Sequence, residues 1–471
     1  MRTFDLCVIG SGPAGQRAAI QAAKLGKRVA VIEAREVVGG VTVNTGTIPS
    51  KALREAILHL SGRPSALPHI EDFYAARNST FTGLQASVQR VITHEIETVR
   101  RHLASNGVEV LHGVGSFIDP HTVRVEGRFG EDEIRAEFVL VSVGSSPARP
   151  DGIPFDGANV ITSDEIMKLG YLPTSAIVVG GGVIGTEYAS MLTALGVRTT
   201  LVEGRHELLG FVDEEVAEAL QYHLRQADAT IRFGEKVVKV EVAEPTGQAR
   251  TANGQMVIAT LESGKTLKAD ALLYAVGRQG STDKLQLENA GLEADRRGRL
   301  KVDEKYRTSV PHIYAAGDVI GFPALASTSM EQGRLAACDM FGVTVNSMPD
   351  LLPYGIYSIP EISMVGWTEG RLTEEGIPFE SGKAQYDEIA RGMLLGDEIG
   401  MLKMLIHQET QQILGVHVIG SGATELIHIG QAAMAFNATV DYFVSAVFNY
   451  PTLAECYKVA AWNGLNKLRA I

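Results

Sequence analysis

Residues 10–15 read GSGPAG and residues 180–185 read GGGVIG, so one glycine pattern occurs twice in the chain. Each copy follows a short apolar stretch and precedes a second one that ends on an acid, Glu33 in the first copy and Glu203 in the second. A dinucleotide needs this design, because glycines permit a tight turn near the pyrophosphate, the following helix offers free N–H groups, and the acid binds a ribose. Two copies with the same spacing to the acid predict two dinucleotide-binding units.

The composition is that of a globular protein, with 45% hydrophobic and 21% charged residues, and the 471-residue length suggests roughly three domains. The net charge of −12 argues against a nucleic-acid partner, and no apolar run approaches the roughly 20 residues that span a membrane. The first apolar stretch begins by Phe4 and leaves no room for a signal peptide, so we expect a cytoplasmic protein. Cys7, Cys338 and Cys456 are far apart and join no Cys/His cluster, so no metal site is predicted.

Hydrophobic periodicity divides the rest of the chain. Each nucleotide unit closes on an apolar strand before a glycine turn, at residues 138–144 and 271–277, and residues 82–105 have the spacing of a long helix. Beyond residue 347, strands at 401–406 and 412–420 precede predicted helices, which indicates an α+β closing domain. We therefore predict domain boundaries that divide the chain into residues 1–150, 151–276, 277–346 and 347–471.

Further motifs occur in the order and spacing of the flavoprotein disulfide reductase superfamily, which the chain resembles over essentially its whole length. Besides the two glycine patterns they are GSSP at 144–147, Glu187, Gly277-Arg278 and AGD at 316–318. The resemblance implies an α/β fold with two Rossmann-like domains and a C-terminal α+β dimerisation domain, and hence a homodimer. Residues 1–150 and 277–346 would bind FAD, residues 151–276 would bind NAD(P), and residues 347–471 would pair two chains.

The resemblance also assigns individual residues. Glu33 would hold the adenosine ribose of FAD and Asp318 its ribityl hydroxyls, while Lys51 and Glu187 match the lysine and glutamate that pair beside the flavin N5 and tune its chemistry. The other FAD contacts that it implies are Gly10, Gly12, Gly15, Gly40, Thr42, Gly115, Gly144 and Ala326. The NAD(P) contacts that it implies are Gly180, Gly182, Gly185, Glu187, Glu203, Arg205, Val237 and Gly277.

The redox cysteines of the resembling reductases are absent. Both positions are threonine here, Thr42 and Thr47, and a hydroxyl has no thiolate form near neutral pH that could enter a disulfide. Tyr450 replaces the histidine that moves the thiol proton, while the glutamate behind it remains as Glu455. A tyrosine, with a pKa of about 10, is a poor proton shuttle at neutral pH. The sequence therefore predicts no disulfide reductase activity.

A flavin without a dithiol must pass its electrons to a second nicotinamide, to a quinone or dye, or to oxygen. Residues 46–54, GTIPSKALR, resemble the soluble pyridine nucleotide transhydrogenases, whose hallmark is threonine at the second cysteine position. The chain departs at Thr42, where members often keep a cysteine. The resemblance implies an FAD-dependent transhydrogenase that exchanges hydride between NAD and NADP in a ping-pong reaction. An NAD(P)H:quinone or dye oxidoreductase and a non-catalytic flavin-binding subunit remain alternatives.

The end of the second nucleotide unit bears on coenzyme choice. Glu203 favours NAD(H), because a carboxylate accepts a hydrogen bond from the 2′-hydroxyl and repels a 2′-phosphate. Arg205, two residues on, either pairs with that phosphate or is a solvated loop charge. An acid beside an arginine would suit a site that admits both coenzymes.

Overall fold

The computed structural model describes residues 1–61, 77–128, 130–245 and 251–470. The chain divides into two compact units. The first consists of Met1–Ala52, Ala86–Ala148 and Gly277–Pro349. The second consists of Leu53–Gln85, Arg149–Val276 and Asp350–Ile471. Among the described residues, no helix is both long and apolar enough to cross a membrane.

The secondary structure follows in chain order. The elements up to residue 150 are β1 (Arg2–Ile9), α1 (Pro13–Lys24), β2 (Val29–Glu33), α2 (Gly40–Asn44), α3 (Thr47–Ser61), α4 (Arg77–Ser105), β3 (Glu109–His112), β4 (Val114–Asp119), β5 (Thr122–Gly127), β6 (Gly130–Val141) and β7 (Ser145–Pro147). Those up to residue 276 are β8 (Val160–Thr162), β9 (Ser175–Val179), α5 (Val183–Ala194), β10 (Arg198–Glu203), α6 (Glu214–Gln226), β11 (Thr230–Phe233), β12 (Val237–Ala243), β13 (Met256–Leu261), β14 (Thr266–Ala269) and β15 (Ala271–Tyr274).

The remaining elements complete both units. Those up to residue 349 are β16 (Arg278–Gly280), β17 (Ile313–Ala315) and α7 (Ala326–Met340). Those beyond it are β18 (Tyr354–Ile356), β19 (Ile362–Gly366), α8 (Glu369–Glu374), β20 (Phe379–Gln385), α9 (Ala390–Leu395), β21 (Met401–His407), β22 (Ile413–Ile419), α10 (Ala423–Ala435), α11 (Asp441–Ser445) and α12 (Glu455–Ala470). Short 3-10 helices lie at Ile166–Lys168, Leu287–Ala290, Asp318–Ile320 and Tyr386–Glu388.

The first unit is built on a sheet in the order β3-β2-β1-β6-β5-β4, with β17 also paired to β6. Strands β1, β2, β3, β6 and β17 are parallel to one another, whereas β5 pairs with β6 and β4 pairs with β5 in antiparallel fashion. Helix α1 packs on this sheet through alanines and also lies against α7. A Cβ on Gly333 of α7 would overlap the carbonyl oxygen of Ala14, so glycine is required for this close helix contact.

The described residues of the second unit form three sheets. The parallel sheet β11-β10-β9-β15-β8 carries α5, and the antiparallel ribbon β12-β13-β14 follows β11 in the chain. The antiparallel sheet β18-β19-β22-β21-β20 is covered by α10 and α12, and a buried core that includes Tyr386, Phe443 and Tyr457 fills the space between them. The inner parallel strands β9 and β15 are mostly apolar and buried, because both faces of such a sheet are covered.

Candidate functional site

The first glycine turn (residues 10–15) joins β1 to α1. Gly10 has φ +108°, and a Cβ on Gly15 would overlap the carbonyl oxygen of Gly10. Nothing lies within 4 Å of a Cβ built on Gly12, the N-cap of α1, and no side chain caps the helix. The free N–H groups of the first helical turn therefore border an open space, which fits a pyrophosphate.

The second glycine turn (residues 180–185) repeats this geometry between β9 and α5. Gly180 has φ +106°, and a Cβ on Gly185 would overlap the carbonyl oxygen of Gly180. The space around a Cβ on Gly182 is again open to 4 Å, and α5 has neither a side-chain cap nor an acid in its first turn. The predicted duplication of the nucleotide unit is thus present in the backbone as well as in the sequence.

Glu33 lies buried at the end of β2 and faces the first glycine turn. One carboxylate oxygen accepts from the Ser11 amide at 3.2 Å and the Ser11 hydroxyl at 2.5 Å, and the other accepts from the Arg35 amide at 2.8 Å. The Ser11 hydroxyl also accepts from the Gly39 amide at 2.9 Å. The carboxylate is therefore oriented before any ribose binds. The role of Ser11 was not predicted, because a hydroxyl at a variable position of the pattern carries no signal by itself.

Glu203 occupies the matching position at the end of β10. Its carboxylate accepts from the Gly181 amide at 2.5 Å and the Arg205 amide at 2.9 Å, and the Arg205 guanidinium lies 3.0 Å away. Burial alone would raise the pKa of Glu203, but the hydrogen bonds from Arg205 and Gly181 lower it. Arg205 is 55% exposed, so its guanidinium borders solvent while it pairs with the acid. The predicted acid and arginine are adjacent in space.

Asp318 follows β17 and begins a 3-10 helix. The Ser145 hydroxyl donates to its carboxylate at 2.7 Å, and Arg278 donates to the same hydroxyl at 2.8 Å and to the Ser145 carbonyl at 2.6 Å. The β7–β16 ribbon, which the predicted positions Gly144 and Gly277 precede, thus orients the acid. Ser145 and Arg278 belong to motifs that the sequence singled out, but only the fold reveals that they contact Asp318.

The segment that lacks the cysteines lies against the first glycine turn. A Cβ on Gly40, the first residue of α2, would stand 2.8 Å from the Gly12 Cα. Thr42 is half-buried on α2, and Thr47 and Lys51 are one turn apart on α3. The start of α2 therefore lies at the turn that is predicted to hold FAD, and Thr42 is two residues further along this helix.

The other predicted residues are dispersed over both units. A Cβ on Gly115 of β4 would approach Ile9 to 3.1 Å, inside the sheet core, while Ala326 begins α7 and Val237 begins β12. Tyr450 is 76% exposed, and Glu455 accepts from the Thr452 amide at 3.2 Å at the start of α12. Across the described part of the chain, no group of three His, Cys, Asp or Glu side chains could hold a metal.

Comparison with known proteins shows which family has this architecture. A profile of the pyridine nucleotide-disulphide oxidoreductases matches residues 4–333, and the profile of their dimerisation domain matches residues 352–461. The chain belongs to the pyridine nucleotide-disulphide oxidoreductase family. The predicted fold class, an α/β protein with a C-terminal dimerisation domain, is confirmed.

Relatives within this family match the chain from end to end. The soluble pyridine nucleotide transhydrogenase of Mycobacterium tuberculosis is 51% identical, covering 100% of this chain and 99% of its own. The protein of the same name from Chromohalobacter salexigens is 44% identical over 99% of both chains. Among solved structures, the HOCl-induced flavoprotein disulfide reductase RclA of Escherichia coli has a TM-score of 0.86 at 27% identity, covering 97% of this chain and 99% of that one. LpdA of Mycobacterium tuberculosis has a TM-score of 0.85 at 26% identity, with coverages of 98% and 99%.

Proposed function

We propose that this protein is an FAD-dependent soluble NAD(P)+ transhydrogenase, which exchanges hydride between NADPH and NAD+, or NADH and NADP+, by a ping-pong mechanism. The observation that carries the proposal is the pair of matching glycine turns in a chain with threonine at both positions of the redox cysteines. Full-length identity of 44–51% to soluble pyridine nucleotide transhydrogenases supports it.

The cysteines that the chain does contain support the same conclusion. Cys7, Cys338 and Cys456 are buried and unpaired, and burial raises the pKa of both Cys7 and Cys456 to about 12. A thiol with so high a pKa has almost no thiolate at neutral pH, and the thiolate is the reactive form. Electrons would therefore leave the flavin without a protein dithiol.

Each nucleotide has a proposed set of ligands. Bound FAD would supply the redox chemistry, accepting hydride from one nicotinamide and returning it to another. Glu33 would accept from the adenosine ribose of FAD, and Asp318, oriented by Ser145, would accept from the ribityl hydroxyls. Lys51 and Glu187 would set the charge beside the flavin ring. The second glycine turn would bind the pyrophosphate of either coenzyme.

Assembly and location are also proposed from the fold. We expect a homodimer paired through residues 347–471, with a mass twice the 50.5 kDa of one chain, and a cytoplasmic location. Phe436, Val447 and Tyr450 are highly exposed in this region, and a second chain would bury apolar area if it covered them. Tyr450 and Glu455, at the positions of the lost proton shuttle, would line the flavin site of the partner.

Hydride exchange without thiol reduction is the first expected result. NADPH should bleach the yellow protein under anaerobic conditions, and NAD+ should restore the colour. Lipoamide, glutathione disulfide and mercuric ion should be reduced no faster than by free flavin, because neither Thr42 nor Thr47 can form a thiolate. Steady reduction of any of the three at ordinary turnover rates would contradict the proposal, and recolouring by quinone but not NAD+ would favour the quinone reductase alternative.

Glu203 and Arg205 should separate the two coenzymes. Glu203→Ala should weaken the binding of NADH more than that of NADPH. NADH loses the acceptor for its 2′-hydroxyl, whereas the 2′-phosphate of NADPH loses a repulsive neighbour. Arg205→Ala should instead weaken the binding of NADPH, by about 1–3 kcal/mol if the contact between Arg205 and the 2′-phosphate is charge-assisted. KM values for both coenzymes in the two variants measure this. Arg35→Ala, at the matching position of the first unit, is the control and should leave both KM values unchanged; equal effects on both coenzymes would rule out recognition of the 2′ position.

A further inference from the structure

The Glu187 carboxylate is held by a backbone segment distant in sequence. Glu187 is buried on α5, and one of its carboxylate oxygens accepts from the Tyr357 amide at 2.9 Å. Tyr357 begins the anchor segment (residues 357–361, YSIPE), which precedes β19. A backbone amide cannot rotate to follow a moving side chain, so the position of the anchor segment sets the orientation of the carboxylate.

The anchor segment is bound to α5 at a second point. The Ser190 hydroxyl accepts from the Ile359 amide at 3.0 Å and donates to the Glu187 carbonyl at 2.7 Å. Ser190 is completely buried and lies one turn after Glu187 on α5. The segment and the helix are therefore joined by two amide donors, at alternate residues of the segment.

A buried ion pair fixes the other side of the anchor segment. Arg54 of α3 donates to the Ser358 carbonyl at 2.9 Å and lies 2.9 Å from the Glu361 carboxylate, and both charged side chains are buried. The second Glu361 oxygen accepts from the Thr424 amide and hydroxyl at 2.9 and 3.1 Å, at the start of α10. The guanidinium thus contacts the segment through backbone and side chain at once, which a planar fork of donors allows.

We propose that Arg54 and Glu361 are positioning residues: their ion pair fixes the anchor segment, and the Tyr357 amide in turn fixes the Glu187 carboxylate. The inference rests on the proposed function, in which Glu187 lies beside the flavin. A displaced carboxylate changes the electrostatic field at the reacting ring, whereas Glu203 and the second glycine turn, which bind the rest of the coenzyme, stay in place. Loss of the ion pair should therefore affect the rate of hydride transfer and the flavin potential rather than coenzyme affinity.

Glu361→Gln tests the proposal, because glutamine can still accept from Thr424 but loses the charge that pairs with Arg54. We expect kcat for hydride exchange to fall by about tenfold, with KM for NADH and NADPH within about twofold of wild type and a shifted flavin midpoint potential. Glu55→Gln is the matched control: Glu55 contacts the same guanidinium at 2.6 Å but is 56% exposed, and its loss should change neither quantity.

Glu187→Gln separates the two hypotheses. If Glu187→Gln alters the potential and kcat while folded Glu361→Gln leaves both at wild-type values, the positioning role is wrong and the proposed function stands. If Glu187→Gln itself has no effect, Glu187 does not lie at the flavin, and the positioning proposal is overturned together with that placement. If Glu361→Gln does not fold, Arg54→Lys replaces it: one ammonium cannot reproduce both contacts, so an unchanged potential and kcat in that variant would also refute the proposal.

Discussion

Lys403→Met should lower the free energy of unfolding by about 3–5 kcal/mol, because it leaves a buried carboxylate without its counter-charge. Lys403 lies on β21, and its ammonium is 2.7 Å from Asp213, 2.9 Å from Glu369 and 3.0 Å from Glu215. The side chains of Lys403 and Asp213 are each only 1% exposed. Burial disfavours the charged form of Asp213, yet His417, the charge and hydrogen bond of Lys403, and the Glu369 amide together hold its pKa below the ordinary value. Urea unfolding of the two proteins measures the difference.

The effect of Lys403→Met should depend on pH. In the wild-type protein the lowered pKa of Asp213 contributes stability above the unfolded value of about 3.9, and that contribution is lost as the pH falls. In the variant, the unpaired Asp213 carboxylate is easier to bury once it is protonated. The difference in the free energy of unfolding between wild type and variant should therefore shrink as the pH falls from about 7 to about 4. A loss that is constant over this range would point to side-chain packing rather than charge.

Lys383→Met is the matched control for the buried lysine. Lys383 pairs with Glu215, one of the same carboxylates, at 2.6 Å, but its side chain is 34% exposed. An exposed ion pair contributes about 0–1 kcal/mol, so this variant should unfold at nearly the wild-type urea concentration. If both lysine variants lose the same stability, burial of the Lys403–Asp213 pair is not the cause.

Gly15→Ala and Gly185→Ala should remove different nucleotides from the same protein. In each turn the new methyl group would overlap the carbonyl oxygen of the first glycine, Gly10 or Gly180, and force the turn away from the helix. Gly185→Ala should retain FAD but be reduced by NADPH roughly 100-fold more slowly, because the nicotinamide is no longer positioned. Gly15→Ala should be purified without flavin.

The flavin content from the visible spectrum and the anaerobic reduction rate distinguish these outcomes. Gly370→Ala is a suitable control, since a Cβ at Gly370 of α8 meets no atom within 4 Å and the backbone there is helical. Normal reduction of Gly185→Ala by both coenzymes would show that the second glycine turn does not bind them. Flavin retained at full occupancy in Gly15→Ala would equally remove FAD from the first turn.

Local pattern was sufficient to locate the elements that carry the proposed site. The glycine turns follow from residue spacing within short windows of sequence. So do the helix predicted at residues 82–105, which is observed as α4 (Arg77–Ser105), and the strand predicted at 401–406, which is observed as β21. The contacts of Lys403 could not be predicted in this way. Its partners come from α8, from α6 and from the residue that precedes α6, up to 190 residues away. A lysine in an apolar strand gives no indication of which acids it meets.

The same limit applies to the orientation of the predicted acids. Glu203 and Asp318 were identified from motifs. Glu203 is oriented by Gly181 and Arg205 of its own motif, but the donor that orients Asp318 depends on how distant strands pair. Ser145 meets Asp318 only because β7 and β16 form a ribbon. The anchor segment is a further case, since Tyr357 and Glu187 are separated by 170 residues.

The Ser11 hydroxyl has no counterpart in the second glycine turn. This difference suggests how one architecture can bind both a permanent and a transient ligand. Ser11 secures Glu33 with a buried donor, whereas Gly181 at the matching position has no space for a side chain beside Leu208 and Glu203. There the guanidinium of Arg205, which is 55% exposed, pairs with the carboxylate instead. We expect the first dinucleotide to stay bound for the lifetime of the protein and the second to dissociate in every catalytic cycle. The residues that hold one carboxylate would then distinguish a prosthetic group from a substrate.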